Sequence, residues 1–164
     1  MNNDIGFSRE NNWFRYRAGA IIVEDGKVLM AHNNHDDYFY SVGGAVQFGE
    51  TAEEACQREV FEETGLHFEI ERLAFIHENF FVGQEIDEMY GKHCHELTFY
   101  FLMKPIVNPE FHISETHLGW QEKMVWLPLE TYSTLKAFPT FFADELPHLT
   151  ENLKHIITYE NWEK

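Results

Sequence analysis

The chain has 164 residues, 44% of them hydrophobic, which is enough to bury one compact core without disulfides. Its formal net charge of −16 repels polynucleotide phosphates and argues against binding of DNA or long RNA. Two cysteines, and a start without a basic leader or an apolar stretch, predict a cytoplasmic protein without a membrane anchor. A small polyphosphate ligand stays compatible with the charge, because a bound divalent cation can reverse the local field.

The first third of the chain predicts strands joined by short turns. We expect a single domain over residues 1–164, beginning with a polar tail over residues 1–12. Apolar and β-branched runs predict the next elements, which are strands at residues 14–23, 28–32 and 38–42. The sequence Glu24-Asp25-Gly26-Lys27 is typical of a hairpin turn, and the third strand leads into Gly43-Gly44.

A helix with well-marked ends follows the paired glycines. Thr51 and Glu54 form the pattern of a capping box, in which each side chain bonds the backbone of the other residue. Gly65 suits the left-handed residue that commonly ends a helix. The sequence therefore predicts a helix from Thr51 to Gly65.

The rest of the chain mixes strand and helix patterns. We expect strand-rich structure at 67–81, a polar connection at 82–92, and strands at 94–103 and 124–127. Residues 129–164 read as a helical part, cut by prolines and closed by a helix over 149–159. Strands and helices that mix without strict alternation predict an α/β fold with a mixed sheet covered by helices.

Three glutamates share one arc of the predicted helix. Glu59, Glu62 and Glu63 stand at i, i+3 and i+4, so their like charges repel unless they are solvated or bound to a cation. A plain solvated acidic surface is one interpretation of the pattern. The neighbouring Arg58 and the glycine-rich approach favour the other, because clustered hard oxygen ligands suit Mg²⁺, or Mn²⁺, shared with substrate phosphates.

The spacing around these glutamates resembles a known family. The residues of the pattern are Gly44, Glu50, Arg58, Glu59, Val60, Glu62, Glu63, Gly65 and Leu66. They match the signature box of the Nudix hydrolases at every defined position. The resemblance implies an α/β/α sandwich with a loop-helix-loop metal site. It also implies hydrolysis of a nucleoside diphosphate linked to another group, and an intertwined homodimer would fit it.

The resemblance assigns roles inside the box. Glu59, Glu62 and Glu63 would bind Mg²⁺ or Mn²⁺, joined by a carbonyl of Gly43 or Gly44. Arg58 would act in catalysis indirectly, by pairing with a glutamate such as Glu50 and holding the carboxylates in place.

The identity of the general base stays open, because members of the family use residues at different positions as the base. Glu59 on the helix is one candidate. Glu96, in the predicted strand 94–103, is another, and it could equally be an extra metal ligand or a solvated strand residue. Glu85 and Glu88, in the polar connection, are weaker candidates.

Candidate substrate contacts lie outside the box. Arg15 and Arg17 alternate with aromatic residues and share a strand face, where they could grip a phosphate or simply face solvent. Phe80 and Phe81 could stack on a base or belong to the core. The run from His93 to Glu96 could indicate a zinc site. Alternation along a strand, however, puts the two histidines on one face and Cys94 and Glu96 on the other.

The substrate and two rival functions also stay open. No proline lies between Leu66 and Lys104, and Tyr90 is late for the tyrosine that marks dinucleoside polyphosphate hydrolases, so subfamily markers are missing. A nucleotide-binding sensor of the same fold is one alternative. An isomerase of isopentenyl diphosphate is another. It would need a catalytic cysteine, for which Cys56 inside the helix is out of place and Cys94 stays open.

Overall fold

The computed structural model describes residues 3–84 and 88–163. Runs of β-branched and aromatic residues place most of this chain in strands. In chain order the strands are β1 (Gly6–Arg9), β2 (Asn12–Ile21), β3 (Val23–Glu24), β4 (Lys27–Asn33), β5 (Phe39–Ser41), β6 (Gly43–Ala45), β7 (Ile70–Val82), β8 (His93–Met103), β9 (Ser114–Glu115), β10 (Gln121–Pro128), β11 (Ala137–Phe138) and β12 (Lys154–Glu160).

The long helix forms where its end signals predict. Helix α1 (Ala52–Thr64) starts after Thr51, whose side chain accepts from the Glu54 amide while the Glu54 carboxylate accepts from the Thr51 amide. It ends at Gly65, whose φ of 78° is the left-handed conformation that glycine adopts at no steric cost. The other helical segments are short: α2 (Phe142–Glu145) and 3₁₀ turns at Leu129–Thr134 and Leu146–His148.

The strands form two six-stranded sheets rather than one. The first runs β1-β2-β8-β7-β12, with β6 added beside β2, and it is mixed because β2 and β8 are parallel while β7 and β8 are antiparallel. The second runs β11-β5-β4-β10-β9, with β3 beside β4. The short β5 and β6 lie next to each other in sequence but in different sheets, so the paired glycines stand where the sheets meet.

Helical segments cover both sides of the sheets. Helix α1 buries Ala55, Cys56 and Val60 in one apolar cluster with inward-facing residues of both sheets. Tyr132 and Phe142, from the 3₁₀ turn and α2, lie in a second cluster on the other side. The predicted α/β/α sandwich is confirmed. Within the described residues, no helix is both long and apolar enough to span a lipid bilayer.

The prediction of a helical part over residues 129–164 is wrong for its closing element. The predicted helix over 149–159 is replaced by strand β12, which pairs parallel to β7. Burial alternates residue by residue along β12, so its pattern KHIITYE has the period of a strand. Two adjacent isoleucines and a threonine strengthen that preference.

The polar tail over residues 1–12 also contains regular structure. Strand β1 pairs antiparallel with the start of β2, and the ring of Phe7 lies 5.4 Å from that of Phe14. All four β1 residues are exposed, so the strand has no buried face to give an apolar signal in the sequence. The hydrogen bonds to β2 hold this strand in place instead.

We expect Thr51→Ala to lower the free energy of unfolding by about 0.5–2 kcal/mol, because the Glu54 amide loses its acceptor. Urea denaturation followed by circular dichroism measures the change. Thr150→Ala is the control, since Thr150 is exposed and outside any helix. Equal midpoints for the two variants would contradict a stabilising role of the cap.

Candidate metal and diphosphate site

Two glycines allow α1 to press against strand β6. A Cβ atom added to Gly44 would lie 2.4–2.5 Å from the carboxylate atoms of Glu59. At Gly43 a Cβ would lie 2.2 Å from the carbonyl oxygen of Ala18, and the φ of 139° also disfavours any side chain. The paired glycines therefore form a cradle for the carboxylates of α1.

Arg58 ties three glutamates together. Its Nε and Nη2 donate to the Glu50 carboxylate at 3.1 and 2.7 Å, which confirms the predicted pair. Its Nη1 donates to Glu59 at 2.5 Å and reaches the more exposed Glu62 at 3.5 Å. The Arg58 hydrogen bond is the main cause that lowers the pKa of Glu50. Arg58 thus orients these three carboxylates, which together with Glu63 form the acidic cluster.

Glu63 is a buried carboxylate with only one partnered oxygen. Its Oε1 accepts from the backbone amide of Gly43 at 3.3 Å, and Oε2 is buried without a hydrogen-bond partner. Burial raises its pKa well above the ordinary value, and the charges of Glu122 and Glu59 raise it further. An ionised Glu63 therefore needs a cation that the described side chains do not place in contact with it.

Glu122 is a site residue that the sequence analysis missed. It is buried on β10, where it accepts hydrogen bonds from the Tyr40 hydroxyl and from Ser114 Oγ at 3.1 Å. The strand predicted from the sequence begins only at Met124, so Glu122 falls outside it. Its alternation with Met124 and Trp126, which pack towards α1, is the signal of an inward-facing position.

Arg17 is buried and fully engaged, so it neither faces solvent nor is free to grip a substrate. It donates to Ser41 O at 2.8 Å, Ser41 Oγ at 3.0 Å and Gly43 O at 3.2 Å. Burial lowers its pKa, but Tyr100 and nearby carboxylates, including Glu63, outweigh that effect and the net shift is upward. Arg17 fixes the Gly43 peptide and lends positive charge to the acidic cluster.

Arg15 and Glu96 form an ion pair next to this site. Arg15 Nε donates to Glu96 Oε2 at 2.8 Å. Burial tends to raise the pKa of Glu96, but Arg15 and Arg17 outweigh it and the net shift is downward. A carboxylate held in its ionised form by two arginines is a weak proton acceptor, so this contact disfavours Glu96 as the general base.

The remaining base candidates are Glu88, Glu85 and Glu59. Glu88 accepts from Trp13 Nε1 at 3.3 Å. Glu85 lies outside the residues that the structure describes. Glu59 lies inside the cluster, and burial is the main cause that raises its pKa.

The two predicted stacking residues point to opposite faces of the first sheet. Phe80 stacks on His95 at 4.2 Å and on Tyr159 at 5.0 Å between ring centroids. Phe81 pairs in register with Cys94, one residue along the strand and hence on the other face. Phe80 also contacts the ring of Trp162 at 5.7 Å, and none of these three ring contacts involves a carboxylate of the cluster.

The cysteines do not support the isomerase alternative. Cys56 is buried, and burial raises the pKa of its thiol to about 12, so it stays protonated and unreactive at neutral pH. Cys94 is also buried.

The acidic cluster fits a hard divalent cation. Among the residues that the structure describes, no three His, Cys, Asp or Glu side chains already surround a common metal position. Glu59 and Glu62 are held by Arg58 instead. The unpartnered Glu63 oxygen, the glycine cradle and a donor set made only of oxygens match what Mg²⁺ or Mn²⁺ requires.

Comparison with known proteins identifies the family. A model of the NUDIX domain matches residues 13–149. A MutT-like protein of Streptomyces ambofaciens is 34% identical over 62 residues, which are 38% of this chain and 40% of that protein. The aligned region therefore spans less than half of that relative.

Solved structures share the fold. A MutT protein from Bacillus halodurans superposes with a TM-score of 0.68 at 20% identity, covering 90% of each chain. An ADP-ribose pyrophosphatase from Streptococcus suis superposes with a TM-score of 0.57 at 14% identity, covering 88% of this chain and 98% of the other. At these identities the likeness concerns the fold alone.

We predict that Glu63→Gln raises the melting temperature of the metal-free protein at neutral pH by about 2–8 °C, because it removes a buried charge of which one oxygen has no hydrogen-bond partner. The pKa of Glu63 is raised on folding, so its protonation favours the folded state. Wild-type stability should fall relative to that of the variant as the pH rises through the folded pKa. Thermal scans in EDTA, with exposed Glu53→Gln on the same helix as the control, measure this. A variant that melts below the wild type at neutral pH would contradict the interpretation.

Proposed function

This chain belongs to the NUDIX domain family, and we propose that it is a Mg²⁺-dependent pyrophosphohydrolase acting on a nucleoside diphosphate linked to another group. The observation that carries the proposal is the buried Glu63 carboxylate, whose second oxygen has no hydrogen-bond partner and whose pKa is raised further by the charges of Glu122 and Glu59. Burying such a charge is costly unless a ligand compensates it. A plain solvated acidic helix would not bury it.

Glu59, Glu62 and Glu63 would hold the cation, together with a carbonyl of the Gly43-Gly44 cradle. When bound, Mg²⁺ or Mn²⁺ neutralises the diphosphate and lowers the pKa of water. Arg58 bonds Glu59, whose carboxylate lies against the cradle, and also reaches the more exposed Glu62. Arg17 fixes the peptide of Gly43 on the other side.

The reaction is a substitution at phosphorus by water. The water oxygen forms a new bond to one phosphorus, the bond from that phosphorus to the bridging oxygen breaks, and the bridging oxygen leaves with the other phosphoryl group. The products are a nucleoside monophosphate and a phosphate ester of the linked group. No covalent bond to the protein is formed.

We assign the acceptance of the water proton to Glu122. Its carboxylate is held by the hydroxyls of Tyr40 and Ser114 and, among its described contacts, by no arginine or lysine, in contrast to Glu59 and Glu96. Glu122 also lines a cavity at the paired ends of β4 and β10. The two hydroxyl contacts fix the orientation of the carboxylate.

We expect the wild type with Mg²⁺ to release phosphate from a diphosphate-containing nucleotide after added phosphatase, and Glu62→Gln to lower kcat at least about 100-fold. Glu62 is more exposed than Glu59 or Glu63, so the variant should fold normally. The substrate panel comprises nucleoside triphosphates, dinucleoside polyphosphates, ADP-ribose, NADH and nucleotide-sugars. Binding of nucleotides without turnover of any of them would refute the hydrolase and identify a sensor.

The base assignment predicts different effects for two buried glutamates. Glu122→Gln should lower kcat by about 10²–10⁴-fold, as expected for loss of a general base. Glu96→Gln should change kcat less than Glu122→Gln, because Glu96 is paired with Arg15. Exposed Glu115→Gln, on the neighbouring strand, is the control. The reverse order of effects would return the role to Glu96.

A further inference from the structure

Asn33, the last residue of β4, is a buried amide whose hydrogen-bonding capacity is fully used. Its Oδ1 accepts from the backbone amides of His35 at 2.9 Å and Asp36 at 2.7 Å. Its Nδ2 donates to Asp36 Oδ2 at 2.7 Å and to the Tyr40 hydroxyl at 3.2 Å. An asparagine side chain has two lone pairs on its oxygen and two hydrogens on its nitrogen, so all four are engaged.

The two backbone amides fix the orientation of the Asn33 side chain. A backbone N–H can only donate, so the atom that meets the amides of His35 and Asp36 must be the oxygen. The nitrogen then faces Tyr40, and it too can only donate. The Tyr40 oxygen is therefore the acceptor in its contact with Asn33, and the Tyr40 hydrogen is left for another partner.

That partner is Glu122. Asn33 is opposite Glu122 in the pairing of β4 with β10, and Tyr40 lies on the neighbouring β5. The Tyr40 hydroxyl donates to Glu122 Oε2, while Ser114 Oγ donates to Oε1 at 3.1 Å. Burial is the main cause that raises the pKa of Tyr40, and the bond to Glu122 raises it further, so the hydroxyl keeps its hydrogen at neutral pH. Each Glu122 oxygen thus accepts one hydrogen bond and retains a lone pair for a further proton.

We propose that Asn33 is a positioning residue for hydrolysis, because it directs the Tyr40 hydrogen to Glu122 and so holds the carboxylate that accepts the water proton. The inference rests on the proposed hydrolase function and on Glu122 as the base. One O–H bond of the attacking water breaks, and its proton goes to Glu122. Asn33 and Tyr40 keep their hydrogens throughout. Among the described contacts, the Asn33 side chain reaches Glu122 through Tyr40.

Asn33→Asp tests the direction of these hydrogen bonds at nearly constant shape. An aspartate still accepts from the amides of His35 and Asp36 but cannot donate to Tyr40, so the Tyr40 hydroxyl turns away from Glu122. We expect kcat to fall about 10–100-fold, with KM changed by less than about 2-fold.

Asn34→Asp is the matched control for the added charge. Asn34 is exposed, and its Oδ1 accepts from the Gln121 amide, which an aspartate can also do. We expect this variant to keep the wild-type kcat. Wild-type kcat in Asn33→Asp, or an equal loss in Asn34→Asp, would overturn the positioning role.

Tyr40→Phe distinguishes positioning from a general structural defect. Once the hydroxyl is removed, Asn33→Asp should lower kcat by only about 2-fold or less, because the two residues act as a unit. Effects of Asn33→Asp and Tyr40→Phe that multiply in the double variant would overturn the proposal. If wild type cleaves no member of the substrate panel, the hydrolase function itself fails, and the positioning role fails with it.

Urea denaturation tests the hydrogen-bond direction without using activity. Glu122→Gln added to Asn33→Asp supplies an N–H that can donate to the Tyr40 oxygen, so the hydrogen bonds can run in the reverse direction. The urea midpoint of this double variant should exceed that of Asn33→Asp. The gain should be smaller in the Tyr40→Phe background, where only the removal of a like charge remains. An equal gain in both backgrounds would contradict the assigned direction.

Discussion

The site depends on the close approach of α1 to the Gly43-Gly44 strand. No side chain fits between them, so the carboxylates of Glu59 and Glu63 come to lie against backbone. One oxygen of Glu63 is left buried without a partner. Holding these negative charges together lowers the free energy of unfolding, which is typical of a site that binds a cation.

Two arginines reduce the electrostatic repulsion among these carboxylates, one by direct contact and one at longer range. Arg58 bonds Glu50 and Glu59 directly and so keeps part of the cluster ionised and oriented. Arg17 acts at longer range, because its hydrogen bonds go to neutral oxygens of Ser41 and Gly43. Its charge stabilises the cluster without occupying carboxylate oxygens, which leaves those oxygens available to a ligand.

Local signals in the sequence predicted the helix and its role. The capping box, the left-handed Gly65 and the pair between Arg58 and Glu50 all depend on residues close together in the chain, and the structure confirms them. The metal-binding roles of Glu59, Glu62 and Glu63 stay predictions, although the structure brings Glu59 and Glu63 to the cradle.

The missed features depend on contacts between distant segments. Glu122 comes from the second sheet, and its approach to Glu63 requires α1, which carries Glu63, to pack against β10. The sequence does not show that Arg17 is buried, because its burial depends on β5 and β6. The carbonyl oxygens of Ser41 in β5 and Gly43 in β6 accept its hydrogen bonds. The predicted helix over residues 149–159 neglects the strand preference of Ile156, Ile157 and Thr158, which becomes decisive when β12 pairs with β7.

The most direct measurement is a crystal structure of the protein soaked with Mn²⁺, using the anomalous signal of the ion. We expect a peak within coordination distance of Glu63 Oε2, with Glu59 or Glu62 turned from Arg58 towards it. A peak elsewhere on the molecule, or none at this position at saturating Mn²⁺, would contradict the interpretation that the buried carboxylate is placed for a divalent cation.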